Sequence, residues 1–113
     1  MSMLDEREQA LEQAFAHSEE VRFLMLTHRN KLFGRWASDL LQYRGEVAER
    51  YIQSIVDTIG APAGVQTPDD RIVSRVVNDF ANAGLGMSPD EVRGALSRFE
   101  EDSKTEFAAA TPN

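Results

Sequence analysis

The residues with chemical potential in this chain of 113 residues are two histidines, a glycine pair, two acidic runs and one basic cluster. His17 and His28 are eleven residues apart. On a straight helix that puts them on a similar face but ~16 Å apart along the axis, too far to share a metal. No His–x3–His or His–Glu ligand spacing accompanies them, so no metal site is expected. Gly84-Leu85-Gly86 has the outline of a phosphate loop. It follows a helical pattern rather than a strand, however, and lacks the remaining glycines of a dinucleotide fingerprint, so it reads as a helix C-cap. Asp69-Asp70 and Glu100-Glu101-Asp102 could serve acid/base chemistry or hold a cation. The first pair falls in the opening turn of a helix, where the dipole favours acids, and the second reads as a solvated face. Arg22, Arg29, Lys31 and Arg35 are the remaining group, with Arg22 and Arg29 seven apart and so on one face. They could bind a nucleotide phosphate or attract an acidic partner surface. The plainer reading is dipole complementation and pairing with acids of the same chain. Cysteine is absent, which excludes thiolate metal cages, disulfides and cysteine nucleophiles. With no P-loop and no nucleophile–base pair, neither enzyme activity nor a cofactor is expected.

The elements that must position these residues read as helices. Leu4-Asp5-Glu6-Arg7-Glu8 offers a capping aspartate with an acid three residues on. Neither Gly nor Pro follows until Gly34, which is expected to end the first helix as its αL residue. A short second helix over Arg35 to Leu41 carries Trp36, Ala37, Leu40 and Leu41 on one side, and Gly45 separates it from a third. There Val47, Ala48, Tyr51, Ile52, Ile55, Val56 and Ile59 follow a helical rhythm. Gly60 and Pro62 end it, and residues 60–66 form a loop. Thr67-Pro68-Asp69-Asp70 is a helix start, with a capping hydroxyl and proline at the first position. Ile72, Val73, Val76, Val77 and Phe80 make its buried stripe. Ser88-Pro89-Asp90-Glu91 repeats that start ahead of Val92, Ala95, Leu96 and Phe99. The fold class expected is all-α: a four-helix bundle-like single domain.

The charge is uneven. The chain carries 12 basic and 19 acidic residues, net −7. Residues 1–20 hold six acids (Asp5, Glu6, Glu8, Glu12, Glu19, Glu20) against Arg7, net −5, whereas residues 21–50 are net +3. Acidity of this order disfavours nucleic acid, because binding there rests on cations at phosphates. The longest apolar runs are a few residues, short of the roughly 20 a membrane span needs. The N-terminus does not read as a secretory signal. A first helix running unbroken from Glu6 to Phe33 would span ~42 Å, beyond the diameter of roughly 34 Å expected for a globule of this length. From Val21 to Phe33 apolar residues are dense enough to be packed on several sides. From Asp5 to Gln13 only Ala10 and Leu11 are apolar, too little to offset ordering entropy. Residues 1–18 are therefore expected to be a mobile acidic arm, 19–110 the helical core and 111–113 a frayed tail. Leu4, Leu11, Ala14 and Phe15 form a sparse stripe on the arm, the pattern of a helix that docks in a partner's groove.

The stretch from Leu4 to Ala37 also resembles a known family. Asp5, Arg7-Glu8, Ala10, Glu12, Phe15-Ala16-His17, Glu19-Glu20, Phe23, Arg29-Asn30-Lys31 and Gly34-Arg35-Trp36-Ala37 follow the order found in the ATPase inhibitor zeta subunit of alphaproteobacterial F-type ATP synthases. Glu46-Val47-Ala48-Glu49-Arg50-Tyr51 and the last two helices match in layout more than in letters. Leu4 stands where the family usually has Phe, and Ser18 where an acid is common. The resemblance implies a four-helix fold whose N-terminal segment is mobile when free. On binding, that segment turns helical and wedges between subunits of the catalytic head beside the central shaft, blocking rotation in the hydrolytic direction. Carried over residue by residue, the arm contacts are Leu4, Arg7, Glu8, Leu11, Phe15 and His17. The partner is then the catalytic head of F-type ATP synthase, with a weak adenine nucleotide at Arg22, Arg29, Lys31 and Arg35 as a further candidate. The resemblance implies a cytoplasmic protein, monomeric when free, held near the inner membrane only through the synthase. A small helical adaptor that has kept the fold but binds another protein is the alternative.

Overall fold

A computed structural model of the chain describes residues 19–60 and 64–110. The expected arm, with Leu4, Arg7, Glu8, Leu11, Phe15 and His17, lies outside the described residues, as do 61–63 and the tail 111–113. Four helices follow one another: α1, Glu19–Leu40; α2, Gly45–Asp57, extended by a 3-10 turn Thr58–Gly60; α3, Pro68–Asn82; and α4, Pro89–Ala110. No strand occurs among the described residues. α1 lies against both α2 and α4, and α3 packs on α4.

Gly34 does not end a helix. It is buried inside α1, and a Cβ built on it would lie 3.2 Å from the Ile52 Cα of α2. A glycine read locally as a stop is therefore a contact point at which two helix backbones approach, and the expected short second helix is the last part of α1. The true stop is at Gln42, which takes φ 62°. The Tyr43 N–H donates to the Ser38 carbonyl at 3.0 Å and the Gln42 N–H to the Asp39 carbonyl at 3.1 Å, the two bonds of a Schellman motif. We expect Gly34→Leu to push α2 off α1 and lower stability by about 1–3 kcal/mol, measured by urea denaturation.

The later starts and stops are as the sequence indicates. Thr67 Oγ1 accepts from the Asp70 N–H at 3.1 Å, with Pro68 opening α3. Ser88 Oγ accepts from the Glu91 N–H at 3.2 Å while Glu91 Oε1 accepts from the Ser88 N–H at 3.4 Å, a reciprocal capping box. Gly84, at φ 79°, closes α3: the Leu85 N–H reaches the Phe80 carbonyl at 2.8 Å.

The core joins Phe33 and Ala37 of α1, Tyr51 and Ile55 of α2, Ile72, Val73, Val76 and Phe80 of α3, and Val92, Ala95 and Leu96 of α4. Trp36 is its aromatic centre. Its ring lies 5.6 Å from Phe33, 5.6 Å edge-on to Phe80 and 6.3 Å from Phe99, so one side chain ties three helices together. Such pairs add about 0.5–1.5 kcal/mol each beyond the area they bury.

Candidate functional site

Two of the four clustered cations come together and two do not. Arg22 and Arg29 line one cleft of about 350 Å³ together with Asp69 and Glu100. Lys31 and Arg35 are exposed on a different face of α1, since Lys31 stands two residues, about 200°, beyond Arg29. The four do not make one anion site.

Arg29 is also not a surface cation. Only 2% of the residue is exposed, because it occupies the helix-spaced stripe Met25–Arg29–Phe33–Ala37, the other three members of which are core. Its guanidinium is held on three sides. Nη2 donates to Asp69 Oδ1 at 2.7 Å and Nη1 to Asp69 Oδ2 at 3.2 Å. Nη1 also donates to Glu100 Oε1 at 2.9 Å, and Nε to Asn30 Oδ1 at 3.0 Å. Asn30 in turn donates to the Ile55 carbonyl at 3.4 Å. One side chain of α1 thereby fixes the first turn of α3, the middle of α4 and, through Asn30, the end of α2. Asp69 and Glu100, expected at a helix start and on a solvated face, converge on one cation. An incoming phosphate would face two carboxylates, with Arg22 the only uncommitted cation among the residues lining the cleft.

Asp70, Tyr51 and His28 also make contacts between helices. Asp70 pairs with Arg93 at 2.5 Å, and that guanidinium, with the Thr67 hydroxyl, holds its carboxyl below the ordinary range. Burial, followed by the hydrogen bond to Asp79, pushes the Tyr51 phenol well above its ordinary value. The hydroxyl donates to Asp79 Oδ2 at 2.9 Å. His28, eleven residues from His17, pairs with Glu106 of α4.

What the core leaves open lies beside the expected arm. Phe23 is 52% exposed and Leu24 48%, although the density of apolar residues from Val21 onward predicts enclosure. The reason is length. Phe23 falls on the stripe that continues through Asn30 and Gly34 toward α2. Ile55, near the end of α2, is level with Asn30, and Phe23 lies about two turns further toward the start of α1. No helix among the described residues is long and apolar enough to cross a membrane, and they contain no group of three or more metal-ligand side chains.

No curated protein and no solved structure matches the chain at the stringency applied. The family model described as ATPase inhibitor subunit zeta matches residues 1–106. That match takes in the acidic N-terminal segment, the uncovered start of α1 and all four helices up to the last turns of α4, and the chain therefore belongs to the ATPase inhibitor subunit zeta family.

Proposed function

We propose that this chain is a non-catalytic inhibitory subunit that binds the catalytic head of F-type ATP synthase and blocks ATP hydrolysis by inserting its N-terminal segment as a helix. The observation that carries this reading is the reach of the family match, which starts at residue 1 and so includes the segment that would do the blocking. The core's chemistry supports it. Arg29, Asp69, Glu100, Asp70 and Tyr51 are engaged in holding helices together, as suits a rigid body that carries an obstructing segment. The chain would be held at the inner membrane only through the synthase.

In this mechanism residues 1–18 are the arm. Ordering each residue costs about 1–2 kcal/mol in backbone entropy, and the helix must recover that from a few desolvated anchors. Leu4, Leu11 and Phe15 supply the apolar face. Arg7, Glu8 and His17 flank it and select the register through charge. Phe23 and Leu24, exposed at the start of α1, would add apolar contact area next to the arm and extend the interface past residue 18. The rigid four-helix body then prevents the inserted helix from being drawn through.

The anchors and the flanking charges separate experimentally. We expect Phe15→Ala to raise the half-maximal inhibitory concentration at least about 30-fold, the scale of a lost hot spot of 2 kcal/mol. Glu12→Ala should change it less than about threefold. Equal losses for the two would contradict an apolar-anchored arm.

A further inference from the structure

Beside the core, the turn before α2, α2 itself and α3 border an open groove of about 360 Å³ lined by Tyr43, Val47, Arg50, Tyr51, Ser54 and Arg75. Val47, expected in the buried stripe of α2, is 50% exposed here. The Arg75 guanidinium carbon lies over the Tyr51 ring, 4.9 Å from its centroid, and Tyr43 meets Tyr51 edge-on at 5.4 Å, so the walls are aromatic. Asp79, the nearby acid, is already taken by the Tyr51 hydroxyl and by Arg75 at 3.7 Å. Arg50 pairs with no carboxylate among the described residues; its Nε reaches only the Glu46 carbonyl, at 3.4 Å. The groove thus joins an uncovered apolar side chain to one cation without a carboxylate partner among the described residues, Arg50, which suits a short acidic segment carrying an apolar residue.

This chain contains such a segment. Residues 1–18 hold Asp5, Glu6, Glu8 and Glu12 against Arg7, net −3, and carry Leu4, Leu11 and Phe15 among them. The distance permits the contact for the far end of the segment, the stretch around Leu4 with Asp5, Glu6 and Glu8, because Phe15 stands four residues from Glu19 and spans only ~14 Å when extended. α2 runs antiparallel to α1, with Ile52 opposite Gly34 and Ile55 opposite Asn30. The groove is therefore level with the last turns of α1, about 25 Å from Glu19 at about 1.5 Å per residue. The fourteen steps from Ser18 back to Leu4 reach ~48 Å when extended. The exposed face with Lys31 and Arg35 is nearer and is the competing cationic surface.

We propose that the Tyr43–Val47–Arg50–Arg75 groove is the resting dock of the chain's own acidic N-terminal segment, which must leave it in order to inhibit. The inhibitory consequence rests on the function proposed above; the docking itself does not. Attraction between exposed charges fades as the screening length falls from about 30 Å at 0.01 M salt to 3 Å at 1 M. The dock is therefore weak, reversible and sensitive to salt.

The absence of cysteine makes Ser2→Cys a unique attachment point for a nitroxide on the full chain. At about 0.01 M salt the label should broaden the Val47, Arg50 and Ser54 amide signals, and Arg50→Glu or about 1 M salt should abolish that broadening. Broadening absent from the groove, or centred on Lys31 and Arg35, overturns the proposal. So does broadening that appears when labelled chain is mixed with unlabelled isotopic chain, because the occupant is then a second copy. In an ATP hydrolysis assay, Arg50→Glu should lower the half-maximal inhibitory concentration about three- to tenfold, the effect of removing a competing state worth roughly 1 kcal/mol. An unchanged value overturns the proposal, and a raised value does so by showing that the groove grips the synthase. If the wild-type chain does not inhibit, the proposed function fails while the nitroxide experiment still decides the dock.

Discussion

Arg29→Ala lowers the stability of the core by about 3 kcal/mol, read as a shift of the urea midpoint at constant slope. The size follows from what the guanidinium does. Its side chain is 3% exposed and bonds Asp69, Glu100 and Asn30, so removing it opens a cavity between α1, α3 and α4 and strands two acids beside each other. Asp69 and Glu100 keep 50% and 33% of their side-chain exposure, which lets water reach them and holds the cost at the lower end for a broken buried pair. Arg29→Met, which refills the volume without the charge, should recover about half of the loss. A change below about 1 kcal/mol in the alanine variant would place the contact among ordinary surface ion pairs.

Deleting residues 1–18 abolishes inhibition and leaves the melting of the remaining chain within a few degrees of the full-length value. Among the described residues the buried apolar ones lie between Met25 and Leu96, and the capping bonds of α3 and α4 and the Arg29 hub are made within 19–110. The truncated chain keeps every one of these contacts, while losing the segment that would obstruct the synthase. Truncation thus separates the obstructing element from the fold. Residual inhibition by the truncated chain at comparable concentration would move the blocking surface onto the core, with Phe23 and Leu24 the first residues to suspect.

The parts of this fold that are local in origin were legible in the sequence. A capping hydroxyl, a proline at the first position and an acid three residues on are chemistry confined to one turn, and both Thr67 and Ser88 behave as their neighbours indicate. The apolar stripe through Ile72, Val73, Val76 and Phe80 is likewise a property of one helix. The departures are tertiary. Gly34 carries the same letter whether it ends a helix or lets Ile52 approach it, and only the partner helix decides between them. Gln42 gives no sign in advance that it will adopt a positive φ. Phe23 and Val47 belong to apolar stripes and are exposed because the neighbouring helix ends before them or turns away.

The Arg29 hub was half legible. A cation in register with Met25, Phe33 and Ala37 signals a buried ion pair, and α3 and α4 each supply an acid that could meet it. Which acids do so depends on how those helices cross α1, and sequence spacing does not carry that information. The groove at Arg50 and Arg75 was not legible, because its two arginines come from helices that no local pattern relates. The arm contacts Leu4, Arg7, Glu8, Leu11, Phe15 and His17 come from the family motif together with a sparse stripe, and they lie outside the described residues.

The central claim is that this chain stops ATP hydrolysis by obstruction through its first residues. The most direct test is the ATP hydrolysis rate of the cognate F-type ATP synthase, titrated in parallel with the full chain and with residues 19–113. The account predicts a saturable fall in rate with the full chain and none with the truncated one. A rate that stays constant at every concentration of the full chain would contradict it.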